Sequence, residues 1–151
     1  MKRIEQLQNL SREHHQSLTL AQKAIKTSES HNDVIISELC KEIVADYPDV
    51  WKIHFSIEED SIFQLFSNSS SERHSEIANL CHSLIQEHQT MNGYYEQMKR
   101  GNFSVLGEFG SLLKTHTRKE ERQLFPLLEE VMTPEELNRV LQVSQEYRKT
   151  D

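Results

Sequence analysis

Apolar residues recur along this chain at alternating spacings of three and four, the period of helices that bury one face, and four long segments carry the pattern. The first places Leu7, Leu10, Leu18, Ala21 and Ile25 on one stripe, with His14 in register between Leu10 and Leu18. Ser11 is the expected N-cap of its main helix, and the polar run Thr27-Ser28-Glu29-Ser30-His31-Asn32 is the expected loop after it. The second segment starts near Asp33 and holds Trp51, His54, Glu58, Ile62 and Leu65 in phase. Pro48 interrupts it, which predicts either a kink or a short helix followed by a second one. Asn68-Ser69-Ser70-Ser71 reads as the next loop, with Ser71 as a cap. The third segment has the cleanest register: Ile77, Cys81, Leu84, His88, Met91, Tyr95 and Met98, with Gly101 where a helix-ending glycine belongs. The fourth holds Phe109, Leu113, His116, Glu120, Leu124, Leu127 and Val131, with Pro126 in its last turns.

After it, Thr133-Pro134-Glu135-Glu136 reads as a cap, a first-turn proline and acidic residues on the helix dipole, predicting a short fifth helix to about Arg148. No Gly/Ser linker divides the chain. The expected fold is all-α: one domain over residues 1–151, an antiparallel up-down four-helix bundle with a short C-terminal fifth helix. Composition agrees with the pattern. Only 4 Gly and 3 Pro occur, leaving too few turn residues for a many-stranded β architecture.

Charge and cysteine content then exclude function classes. A formal net charge of -7 leaves no clustered basic footprint for nucleic acid or an anionic membrane. No apolar run approaches the roughly 18 to 20 residues that a bilayer span needs. The start, MKRIEQLQNL, has no apolar core of a secretory signal, so the expected location is the cytoplasm. Cys40 and Cys81 are isolated, each on a helical stripe, and are expected to be buried thiols.

The stripes themselves contain what a plain core would exclude. His14, His54, Glu58, His88, His116 and Glu120 all fall on inward positions, at least one from every long segment. His54/Glu58 and His116/Glu120 are i, i+4 pairs, which share a helix face and can converge on one ion. A buried carboxylate without a partner costs several kcal/mol or protonates, and a cation removes that penalty. His31 is in a loop, His74 near a helix start and His82 off register. His15 is the competitor of His14, about 100° around the same helix, and either replaces or supplements it. Glu59, Asp60 and Glu121 are expected at the surface or just behind the inner six, and Glu87 at the surface. Imidazole and carboxylate without thiolate suit iron, manganese or zinc. Six such ligands suit two octahedral ions bridged by both glutamates better than one tetrahedral zinc. Neither the Glu-x-x-His pairs of ferritin-like proteins nor H-E-x-x-H occurs.

This arrangement resembles the hemerythrin-like, or HHE cation-binding, family. The resemblance rests on Leu10-Ser11-Arg12-Glu13-His14-His15, on His54-Phe55-Ser56-Ile57-Glu58-Glu59, on Glu87-His88, and on His116-Thr117-Arg118-Lys119-Glu120-Glu121 with Leu124-Phe125-Pro126. It spans roughly residues 10 to 131 and implies a four-helix bundle around an oxo- or hydroxo-bridged non-haem centre of two iron ions. Oxygen-carrying hemerythrins have a further histidine where this chain has Asn92, and an aspartate five residues after the fourth-helix histidine, where Glu120 stands only four after His116. Four His and two Glu are more similar to the stress-response branch of the family.

The resemblance implies a metal-binding protein that handles or senses oxygen, peroxide or nitric oxide as a small ligand. Binding is the expected role ahead of catalysis. The alternatives are a di-iron enzyme on the same scaffold (peroxidase, nitric oxide reductase or iron-sulfur cluster repair, with an unidentified electron donor) and a metal-free interaction bundle, as monomer or dimer. Trp51, Phe55, Phe63 and Phe125 are either barriers to the site or ordinary core.

Overall fold

The computed structural model describes residues 3–67 and 74–148. After a 3-10 turn at Glu5–Leu7 come α1 (Gln8–Glu29), α2 (Asp33–Asp46) and α3 (Trp51–Glu58). A π-turn, Glu59–Phe63, joins α3 to α4 (Gln64–Ser67). Then follow α5 (Ser75–Lys99) and α6 (Leu106–Lys119), a second π-turn at Glu120–Leu124, α7 (Phe125–Val131) and α8 (Pro134–Arg148). The fold is an all-α bundle. Its long members are α1, the α3–α4 rod, α5 and the α6–α7 rod, as the periodicity predicts.

Local chemistry sets the ends. Asn32, not Ser11, is the first side-chain cap, accepting hydrogen bonds from the Val34 and Ile35 amides. Ser11 lies inside α1 and donates to Glu121, because α1 already starts three residues earlier out of the 3-10 turn. The expected loop at Thr27–Asn32 shrinks likewise: α1 continues to Glu29, and His31 takes the left-handed backbone (φ 54°) that reverses the chain. At Pro48 the second alternative holds, a helix followed by another. Gly101, at φ 94°, ends α5, and its amide bonds the Met98 carbonyl. Thr133 and Glu136 cap α8 reciprocally, each side chain accepting from the other's amide. The Asn68–Ser71 loop and the Ser71 cap lie outside the described residues.

The α5 stripe is buried residue for residue as predicted. Elsewhere the register differs. On α1, Ser17 and Ala24 are buried where Leu18 and Ile25 were expected, and both of those are only half-buried. Beyond each π-turn the phase moves by one residue. Phe66 is buried and Leu65 exposed; Leu128 and Met132 are buried, and Leu127 and Val131 are only half-buried. The cause is the hydrogen bonding, since the Gln64 amide bonds the Glu59 carbonyl and the Phe125 amide bonds the Glu120 carbonyl, each reaching back five residues. Pro126 sits immediately after the second of these turns, in the first turn of α7.

Two apolar clusters fill the bundle. One gathers Leu10, Ile62, Phe63, Leu84, Leu124 and Leu128, and α8 docks on it through Leu137, Val140 and Val143. The other gathers Ala21, Leu39, Trp51, Met91, Phe109 and Leu113. At Gly110 an added Cβ would lie 2.9 Å from the Ala21 carbonyl oxygen and from the Ala24 Cβ, so the small residue lets α6 approach α1 closely. Between the clusters runs a polar layer. Cys40 and Cys81 are buried free thiols; burial pushes them up to about 11 and about 12, which keeps both protonated.

Candidate metal centre

The polar layer brings together His14, His54, Glu58, His88, His116 and Glu120, each no more than 4% exposed. His14 points inward and His15 outward. The ligand atoms of His14, His54, Glu58 and Glu120 lie within 4.8 Å of one another, and so do those of Glu58, His88, His116 and Glu120. The two groups overlap through the two glutamates. His31 and His82 are exposed, and His74 packs edge-on against Phe66, away from the layer.

A second set of carboxylates surrounds the first. Glu13 faces His54 Nδ1 at 3.1 Å, Glu59 faces His88 Nδ1 at 2.8 Å, Glu87 faces His116 Nδ1 at 2.9 Å and Glu121 faces His14 Nδ1 at 2.6 Å. The set closes a cycle: α1 supports α3, the turn after α3 supports α5, α5 supports α6, and the turn after α6 supports α1. Every supporting glutamate is the sequence neighbour of an inner residue. A neighbour is turned by about 100° on a helix, so it looks sideways at the next helix while the inner residue looks at the axis. Glu87, expected at the surface, is instead half-buried because Lys119 and His116 hold it there.

This cycle dictates where the protons are. An ionised carboxylate only accepts, so each imidazole carries a proton on Nδ1 and turns Nε2 to the centre, as a lone pair whenever the ring is neutral. His88 Nε2 lies 3.1 Å from His116 Nε2 and 3.2 Å from Glu58 Oε1, and His14 Nε2 lies 3.1 Å from Glu120 Oε1. His54 Nε2 and His116 Nε2 each lie 3.3 Å from a carboxylate oxygen of the glutamate four residues on. Yet both oxygens of Glu58, both of Glu120 and His14 Nε2 are buried without a hydrogen-bond partner. Buried polar atoms are rarely left so, and here they converge on shared space. The donor set fits a cation, and it is all nitrogen and oxygen.

With protons as the only cations, His14, His54 and His116 take up the charge. Burial alone would lower His54, but the Glu58 charge and the bond to Glu13 raise it to about 9. His116 reaches about 9 against the same burial, through Glu120 and Glu87. His14 is raised well above its ordinary value, since the carboxylates of Glu120, Glu121 and Glu58 around it outweigh its burial. Glu58 is held well below the carboxylate range in spite of burial, chiefly by His54. Aromatic rings seal the layer. Phe55 stacks on His88 at 4.0 Å, Phe63 lies 5.4 Å from the same ring, and Phe125 lies 5.3 Å from His14. Trp51 belongs to the apolar cluster instead.

Among known families, the model of the Hemerythrin HHE cation binding domain matches residues 6–104. That stretch holds His14, His54, Glu58 and His88, while His116 and Glu120 lie past its end and reach the layer through the fold. No curated protein and no solved structure matches significantly. No described helix is long and apolar enough to cross a membrane.

Proposed function

The chain belongs to the hemerythrin HHE cation-binding family, and from that premise we propose that it is a non-haem di-iron binding protein that handles or senses oxygen, peroxide or nitric oxide. His14 and His54 would hold one ion, His88 and His116 the other, and Glu58 and Glu120 both. The observation that carries this reading is the set of buried carboxylate oxygens with no hydrogen-bond donor, shared by two groups of four. Iron bound there would supply Lewis acidity and one-electron chemistry toward a small ligand.

The chain's own residues do the rest. Glu13, Glu59, Glu87 and Glu121 fix the tautomer and the plane of each imidazole, which raises its basicity toward an ion. Phe55 and Phe63 cover the His88 ring and Phe125 that of His14, which keeps bulk water away from those imidazole faces. Four imidazoles and two carboxylates leave coordination positions for an exogenous ligand on two octahedral ions.

Metal analysis of protein purified after anaerobic, iron-replete expression tests the reading. About two irons per chain are expected, with loss of at least one in His54→Ala and in His116→Ala. A chain that binds no iron, zinc or manganese under those conditions would overturn it.

A further inference from the structure

The cycle of supporting glutamates is not held equally at its four corners. Glu13 is also bound by Arg148 at 2.7 Å, Glu87 by Lys119 at 2.6 Å, and Glu121 by Ser11 at 2.8 Å and Arg3 at 3.3 Å. Among the described residues Glu59 hydrogen-bonds His88 alone. Its side chain is 42% exposed, against 17% for Glu13, 19% for Glu87 and 27% for Glu121. The same corner opens to solvent. A pocket of about 320 Å³ between α3 and α5 is lined by Lys52, Phe55, Glu59, His88, Gln89 and Asn92, so one histidine of the layer and its supporting glutamate form part of its wall. The pockets between α1 and α6 and beside α8 reach no member of either carboxylate set.

We propose that this pocket is the port through which a divalent cation enters and leaves the polar layer, with Glu59 as the outer acceptor and Phe55 as the barrier. The proposal rests on the metal-binding reading above. At the other three corners an incoming ion must displace a carboxylate held by an imidazole and by a second donor. At this corner one hydrogen bond is exchanged for water, on a side chain already half in solvent. Glu59 directly follows Glu58, whose Oε1 lies 3.2 Å from His88 Nε2, so an ion taken by the outer carboxylate has an inner carboxylate and an imidazole next along its way. Phe55 lies flat on His88 and must tilt for the ion to pass. Lys52, whose ammonium sits 5.5 Å from the Tyr95 ring centre, places a positive charge at the pocket wall and slows a cation's approach.

The test follows Co(II) uptake by the full metal-free chain after rapid mixing, and its removal by excess chelator. Gln89→Cys is compared before and after labelling with a bulky maleimide; Cys40 and Cys81 are buried, which directs the label to position 89. Labelling is expected to slow both uptake and removal at least tenfold with the Co(II) bound at equilibrium unchanged. Asn92→Trp should do the same without chemistry, and Lys52→Glu should speed uptake several-fold. A label on Gln22→Cys, in the α1–α6 pocket, should leave both rates as they are. Unchanged rates in the position 89 conjugate, or equal slowing from position 22, would overturn the port while bound Co(II) upholds the metal-binding reading. A chain that binds no Co(II) at equilibrium would overturn both.

Discussion

A histidine in this core is defined by what stands on each of its two nitrogens. The outer nitrogen meets a glutamate from the preceding member of the cycle, and the inner one faces the centre, a lone pair once the ring is neutral. Removing the charge of one supporting glutamate should therefore weaken metal binding without removing a ligand. Glu87→Gln keeps the shape and one acceptor for His116 but loses the negative charge that raises the imidazole's basicity and pairs with Lys119, so affinity should fall about 10- to 100-fold. A competition titration of Co(II) against a chelator would read this; an affinity unchanged within twofold would remove Glu87 from its assigned part. The six inner positions were legible because each sits on an apolar stripe, where a polar residue is conspicuous. Their supports were harder to see. Glu13 and Glu87 precede a histidine, and Glu59 and Glu121 follow a glutamate, so a dipeptide signal exists. Its meaning depends on which helix stands alongside, and no single-helix register carries that.

At the level of elements, the two π-turns explain most of what the periodicity got wrong. Each begins at or just after an inner glutamate and inserts one residue, so a stripe projected at 3.6 residues per turn lands one place short beyond it. Leu65, Leu127 and Val131 are the misplaced residues, and Phe66, Leu128 and Met132 take their places in the core. Deleting the exposed Gln123 removes the extra residue, so that segment should close as plain α-helix with Phe125 and Leu128 still facing the core. The expected change is within about 1 kcal/mol in urea unfolding, against a loss of about 3 kcal/mol or more for inserting a second residue after Gln123, which does turn Phe125 and Leu128 by about 100°. A deletion as costly as the insertion would mean that packing requires the π-turn itself and not merely the register beyond it. The α1–α6 contact makes an independent demand. Gly110→Ala places a methyl 2.9 Å from the Ala21 backbone oxygen, which cannot retreat as a side-chain tip can. A destabilisation of about 1–3 kcal/mol is expected, visible as a lower urea midpoint at unchanged slope.

For the whole molecule, the polar layer is a plane of electrostatic tension between two apolar clusters. Among the described residues, the six carboxylates, inner and outer, pair with three permanent cations, Arg3, Lys119 and Arg148. Something else must supply positive charge, and in the metal-free chain that is the imidazoles. His54 and His116 stand at about 9 in the folded protein and at 6.5 when free of it. A raised histidine stabilises fully below its unfolded value and loses that contribution as pH rises through the folded one. The metal-free protein should therefore lose stability steadily between pH 6.5 and pH 9, by an amount of order a few kcal/mol, since the two imidazoles share one pocket and do not add. A bound cation reverses the slope. It needs neutral imidazoles, so each proton it displaces makes binding easier as pH rises. The melting temperature of the metal-free chain should thus fall from pH 6.5 to pH 9, while the increase produced by saturating Co(II) grows over the same interval. Thermal unfolding at constant ionic strength, with and without metal, separates the two. A flat metal-free curve would show that the imidazoles do not hold the charge of the layer; a metal increment that shrinks with pH would show that the ion does not bind in their place.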